Sequence, residues 1–293
     1  MDFIYYILLA LSIVLAVSKS SLYNAYAKRT PSGLFSTFSF NATCYLVAGV
    51  IALGVLLFNF TGLSLPTLIC AFFYALIVFS LQTVSIVAMK VGAMSTTAIC
   101  VMYGLIIPSL AGPIFWKEEF TLLQGIGITV MLVSLWLLHD KASGNEGSKA
   151  KKWIALAAVA FVLSGMAGVM EKIHQSTEGR EEKAMFVFVA CIFMFLFSLS
   201  GTFFTRGERT HLDKRSLITL SPLVGLVIGI YSITNLTLAG GIDAMIYYPV
   251  SSGGAMLLTV LVSCFVFGES FNKKKIIGTA LGIIGIVCLS LPI

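Results

Sequence analysis

The residue in this chain best placed to do chemistry is a lysine inside an apolar run. Lys19 lies in AVSKSSLYNAY, well within the first apolar stretch and among Ser18, Ser20 and Ser21. A lysine at the centre of such a helix costs roughly 2.5–3.5 kcal/mol on insertion scales, so it faces a cavity or a partner. Ser12, Lys19, Tyr23 and Tyr26 recur at helical spacing and share one face. One reading makes Lys19 a cationic contact for an anionic or carboxylated solute. The other has it snorkel to the nearer interface, or pair structurally with a carboxylate.

Glu171 and Lys172 stand at the end of the sixth apolar run, and Ser164, Gly168, Glu171 and Gln175 share a helical face. A glutamate there can bind a cation or shuttle a proton for coupling. It can equally be a boundary residue, paired with Lys172 or His174. Tyr74 and Gln82 in the third run, with Tyr231 and Asn235 in the eighth, are too polar for lipid. Buried amides and phenols need hydrogen-bond partners, which a solute or a neighbouring helix can supply.

Composition sets the stage for these groups. Of 293 residues 58% are hydrophobic and 11% charged, against about a quarter charged in soluble domains. Mean hydropathy is +0.98. The +6 net charge sits in short breaks between apolar runs, where membrane topology needs it, and no basic–aromatic module for nucleic acid is present. All six cysteines lie inside apolar runs without a CxxC, as packing residues do, and His139, His174 and His211 are too scattered to ligate a metal. No metal or cofactor is expected. The first apolar run starts almost at once, lacks a basic leader and is too long for a cleavable signal peptide. The absence of GxSxG, P-loop, HExxH and clustered carboxylates argues against an enzyme and against ATP-driven pumping.

Ten apolar runs follow one another, near 4–27, 33–58, 66–89, 93–116, 120–138, 153–173, 184–205, 216–238, 242–267 and 275–291. About 20 helical residues cross the hydrocarbon core, so an all-α polytopic membrane protein is predicted. The hairpin from Gly240 to Leu291 has an ungapped counterpart from Met89 to Leu138. Ala93-Met94 falls on Ala244-Met245, Leu110 on Leu261, Glu118-x-Phe120 on Glu269-x-Phe271, and Ile126-Gly127 on Ile277-Gly278. The spacing predicts two related halves, 1–139 and 153–293, joined by a flexible linker over 140–152. Five spans per half would invert the second half relative to the first, as alternating access requires.

The Glu118…Gly127 and Glu269…Gly278 hairpins also resemble the drug/metabolite transporter superfamily, in particular its EamA-like members. The resemblance covers essentially the whole chain. It implies a ten-helix carrier of small metabolites, built as two inverted five-helix repeats, with the third, fourth, eighth and ninth helices around a central cavity. The fifth and tenth are then expected outside. On the fourth span Thr96, Cys100 and Tyr103 form a polar stripe that corresponds by the offset to Tyr247, Ser251 and Gly254 on the ninth. Pro249 and Ser251-Ser252-Gly253-Gly254 can kink the ninth helix or let it pack closely. Glu118 and Glu269 fall in turns, where they cap the following helix or fix the loop. Trp116, Trp136 and Trp153 read as interface anchors.

Basic residues give the orientation. Fourteen loop lysines and arginines lie on one side and four (Lys117, Lys172, Arg180 and Lys183) on the other, which places both termini on the non-cytoplasmic face. The expected function is secondary transport of a small polar metabolite, an amino acid or organic acid, bound by Lys19, Tyr74, Gln82, Tyr103, Tyr231, Asn235, Tyr247 and Ser251. The location is a bacterial inner membrane, multi-pass, as monomer or homodimer. An amine held by aromatic faces is the rival substrate. A flippase for lipid-linked intermediates, or a membrane enzyme, is the alternative of a different class.

Overall fold

The computed structural model describes residues 3–29, 33–58, 60, 62–91, 97, 100–101, 103–104, 106–119, 121–138, 148–205, 214–267 and 273–290. Ala93, Met94, Thr96, His139, His211, Glu269 and Phe271, with most of the expected linker, lie outside these residues. The described elements are helical throughout. They are α1 (Phe3–Arg29), α2 (Leu34–Phe58), α3 (Leu65–Val91), α4 (Ile106–Trp116), α5 (Leu122–Leu138), α6 (Ser148–Gln175), a short 3-10 turn (Glu178–Glu181), α7 (Lys183–Phe204), α8 (Lys214–Gly241), α9 (Ala244–Phe267) and α10 (Lys273–Ser290). Among the described residues six helices, α1, α2, α3, α6, α7 and α8, are long and apolar enough to cross a membrane. Large apolar side chains such as Phe58 and Phe204 stand about nine-tenths exposed, a pattern suited to lipid and not to water.

The run expected over 93–116 is not one uniform helix where it is described. Gly104 forms a turn, its amide donating to the Val101 carbonyl and its own carbonyl accepting from the Ile107 amide, before α4 begins. The eleven residues of α4 rise about 16 Å, short of the hydrocarbon thickness.

Two compact units emerge, and each draws segments from both sequence halves. The first comprises residues 1–17, 87–169 and 241–293; the second comprises 18–86 and 170–240. In the first unit α5 lies against α10, and α9 against α4 and α10. Ser134 donates to the Gly278 carbonyl at 2.6 Å, while Gly285 comes so near the Gly127 carbonyl that a Cβ would stand 3.0 Å from it. Those two contacts exchange under a shift of 151 residues. Trp153 donates to Thr97 at 2.9 Å, tying α6 to the segment before α4, so its indole serves a helix contact.

The ends of the helices show why the hairpin carries a glutamate. At α5, Thr121 and Gln124 cap each other reciprocally, the Thr121 amide donating to the Gln124 side chain at 3.0 Å and the Gln124 amide to the Thr121 hydroxyl at 3.3 Å. The reciprocal bonds of Thr121 and Gln124 thus supply the cap at α5. The two carboxylate oxygens of Glu118 accept the Ala244 and Met245 amides of α9 at 3.1 and 3.3 Å. The next two amides of α9 go to the Asp243 carbonyl, so its first turn is fully bonded.

In the second unit α2 packs along α7. Tyr26 stacks on Phe40 at 3.6 Å and bonds Ser36, holding the end of α1 to α2. Phe72 and Phe79 of α3 meet Phe193 and Phe197 of α7 at 5.2 and 5.8 Å. This aromatic layer and the α2–α7 seam position the polar groups considered next.

Candidate functional site

The second unit gathers polar side chains from four helices inside an apolar surround. Lys19 of α1 places its Nζ 4.1 Å from the centre of the Tyr231 ring on α8. A desolvated ammonium over a phenol gains about 2 kcal/mol from the ring quadrupole, which offsets part of its burial cost. Tyr231 is hydrogen-bonded to Asn235 one turn along the same helix. Glu171, 7% exposed on α6, accepts a 3.0 Å bond from the Tyr74 hydroxyl of α3. The Glu171 carboxylate and the Lys19 ammonium are close enough for their charges to interact. The unit thus holds a half-buried amine and a buried carboxyl, each dressed by a tyrosine.

Five predicted residues, Lys19, Tyr74, Glu171, Tyr231 and Asn235, meet here. The boundary reading of Glu171 gives way to an inward one, because its acceptor role is taken up by Tyr74. Gln82 shares α3 with Tyr74 but stands eight residues, about 12 Å, further along, and among the described residues no hydrogen bond joins it to this cluster.

Tyr103, Tyr247 and Ser251 belong to the first unit. Tyr103 donates to the Leu132 carbonyl of α5 at 3.4 Å, which is a helix-packing role. Tyr247 is 1% exposed, with its ring 4.6 Å from that of Tyr248, and Ser251 is buried beside it on α9. Tyr248 in turn donates to the Gly168 carbonyl of α6.

Two groups escaped the sequence reading. Asn41, wholly buried on α2, has no hydrogen-bond partner on either amide atom, and the buried Ser85 hydroxyl on α3 has none either, among the described residues. The signal for Asn41 was available: an amide inside SFSFNATCYL meets the same criterion that selected Gln82 and Asn235. The second missed feature lies at the start of α3. The Ser64 amide and hydroxyl both donate to one Glu182 oxygen, at 3.0 and 2.9 Å, and Thr67 lies 3.1 Å from the His174 Nε2.

No family model matches the sequence, and no curated protein does. Among solved structures, one described as "Crystal structure of protein" shares the fold over 97% of this chain and 98% of its own, with a TM-score of 0.77 at 15% identity. At that identity the likeness speaks for the fold over nearly the whole chain.

Proposed function

We propose that the protein is a secondary carrier, a ten-span membrane protein of the drug/metabolite transporter kind, moving a small zwitterionic solute such as an amino acid by alternating access. The single observation that carries this reading is the pairing of a basic and an acidic group within the second unit, half-buried Lys19 on the Tyr231 ring and buried Glu171 on the Tyr74 hydroxyl. Burying both inside lipid-crossing helices is costly without a function, and an ammonium–carboxylate solute complements both. An organic acid would use Lys19 alone. An amine would need a vacant aromatic face, and that of Tyr231 already carries the protein's own cation.

Pairing of equivalent segments supports the inverted-repeat architecture. The hairpins repeat at 151 residues, and the second unit's segments begin at Ser18 and Met170 and end at Ile86 and Gly240, separations of 152 and 154. Helices α2 and α7 stand at this offset and pack together, as do α5 and α10. By the basic-residue distribution both termini lie outside the cytoplasm of a bacterial inner membrane.

Proteoliposome uptake of a labelled amino acid, organic acid and amine tests the assignment. Lys19→Gln and Glu171→Gln should each abolish amino-acid uptake. Uptake of an organic acid that survives Glu171→Gln would replace the zwitterion by an anion, and normal uptake in both variants would remove the site.

A further inference from the structure

We propose that Ser64, Thr67, His174 and Glu182 form a gate barring one mouth of the solute path, with the turn between α6 and α7 as its moving part; this rests on the carrier reading above. All four residues lie in the second unit. The tautomer of His174 follows from its neighbours. The Gln175 Nε2 donates to the Arg180 carbonyl at 3.4 Å and lies 2.9 Å from the His174 Nδ1, so Nδ1 accepts. The ring hydrogen is then on Nε2, which donates to Thr67. The Thr67 and Ser64 hydroxyls are 3.1 Å apart, and both hydrogen-bond Glu182. A buried imidazole is thereby linked through two hydroxyls to one carboxylate at the surface. Removing that acceptor unsettles every bond behind it.

The network joins elements distant in sequence. Ser64 is the N-cap of α3, bonding the Thr67 amide through its side chain and the Leu68 amide through its carbonyl. Glu182 arrives from 118 residues away to accept the Ser64 amide. The turn approaches this closely because residue 179 is glycine: a Cβ there would collide with the Thr67 and Ser64 oxygens. Beneath the network the Phe186 ring lies 4.2 Å from the His174 ring and 5.3 Å from that of Tyr74. One buried ring therefore covers both His174 and the phenol that holds Glu171.

Composition makes the turn separable. Thr177, Glu178, Gly179, Arg180 and Glu181 contribute no apolar side chain, so parting them from α3 breaks hydrogen bonds that water can replace. The charged groups around Glu182 are His174 from α6, Lys183 at the start of α7, and Arg180 and Glu181, which pair with each other at 3.5 Å. The opposite end of the unit differs. Thr67, Tyr74, Gln82 and Ser85 share one side of α3 and span about 27 Å, close to the hydrocarbon thickness. The members at the Thr67 end are bonded through this network, while the Ser85 hydroxyl toward the far end of α3 has no partner among the described residues.

The test is labelling of a cysteine below the gate. In full-length protein with its six cysteines replaced by alanine, Ala71→Cys, fully buried one turn beyond Thr67, is exposed in proteoliposomes to an impermeant thiol reagent on the Glu182 side. Labelling should be slow, and about tenfold faster with Ser64→Ala or Glu182→Gln, the shift that loss of one charge-assisted hydrogen bond gives a two-state equilibrium. Glu182→Asp should restore much of the protection. Unchanged labelling in both Ser64→Ala and Glu182→Gln, each eluting as native protein, overturns the gate. Labelling needs no substrate, so a gate that responds as expected in a protein that transports nothing would instead count against the carrier reading alone.

Discussion

The ammonium of Lys19 sits 4.1 Å from the centre of the Tyr231 ring, so the cation most exposed to suspicion in the sequence is held by an aromatic face of α8. Tyr231→Leu removes the ring and leaves the charge. Amino-acid uptake by that variant should fall about tenfold, the equivalent of the ~1–2 kcal/mol such contacts contribute when desolvated. Tyr231→Phe keeps the ring, and should retain most activity while losing the bond to Asn235. Equal loss in both variants would assign the effect to the hydroxyl.

Tyr74 and Glu171 should be coupled in stability as well as in transport. Tyr74→Phe leaves the carboxylate without its 3.0 Å donor. The expected cost is about 1–3 kcal/mol, read as a lower thermal midpoint in detergent. Glu171→Gln retains an acceptor for Tyr74 and should cost less. The double variant should then cost less than the sum of the two.

Glu118 should act on α9 and not on α5. Glu118→Ala strips the Ala244 and Met245 amides of their acceptor and should destabilise the protein by about 1 kcal/mol, as lost caps do. Thr121→Ala should loosen the start of α5 instead. Hydrogen exchange resolved by peptide separates the two, with faster exchange at 244–247 in the first variant and at 121–125 in the second.

Asn41 offers a test in which stability and function move in opposite directions. Its amide has no partner among the described residues, so Asn41→Leu removes a buried polar group and should leave the thermal midpoint equal or higher. If the amide serves the passing solute, uptake should drop in the same protein. A stability loss with normal uptake would show that Asn41 is a structural group.

Acid should open the mouth held by Glu182. Partial burial pushes its carboxyl upward, but hydrogen bonds from the Ser64 amide and the Thr67 and Ser64 hydroxyls outweigh this and hold it below the ordinary value of 4.5. A carboxyl depressed in the closed state stabilises that state fully above its ordinary range, and the stabilisation is lost as pH falls through the depressed value. Labelling of Ala71→Cys, normalised to Ser176→Cys on the exposed turn, should therefore rise below about pH 4.5 and stay flat in Glu182→Gln. A rise of the same size in Glu182→Gln would place the acid response elsewhere.

Membrane class, helical content and most of the polar residues worth mutating were legible in the sequence alone. Long apolar runs admit little else in lipid, and Lys19, Tyr74, Tyr231 and Asn235 stood out because each is costly where the run places it. Partners were not legible, since a helical period tells which residues share a face and not what that face meets. Glu171 looked like a boundary residue until α3 brought Tyr74 to it. Glu118 read as a cap for the adjacent helix or an anchor for the loop; Thr121-x-x-Gln124 supplies the cap at α5, and only the packed first unit sets Glu118 on Ala244 and Met245. Tyr103 had the right chemistry for a site, and packing gives its hydroxyl to the Leu132 carbonyl. In each case local sequence sets the cost of burying a group, and tertiary structure alone decides which distant donor or acceptor offsets it.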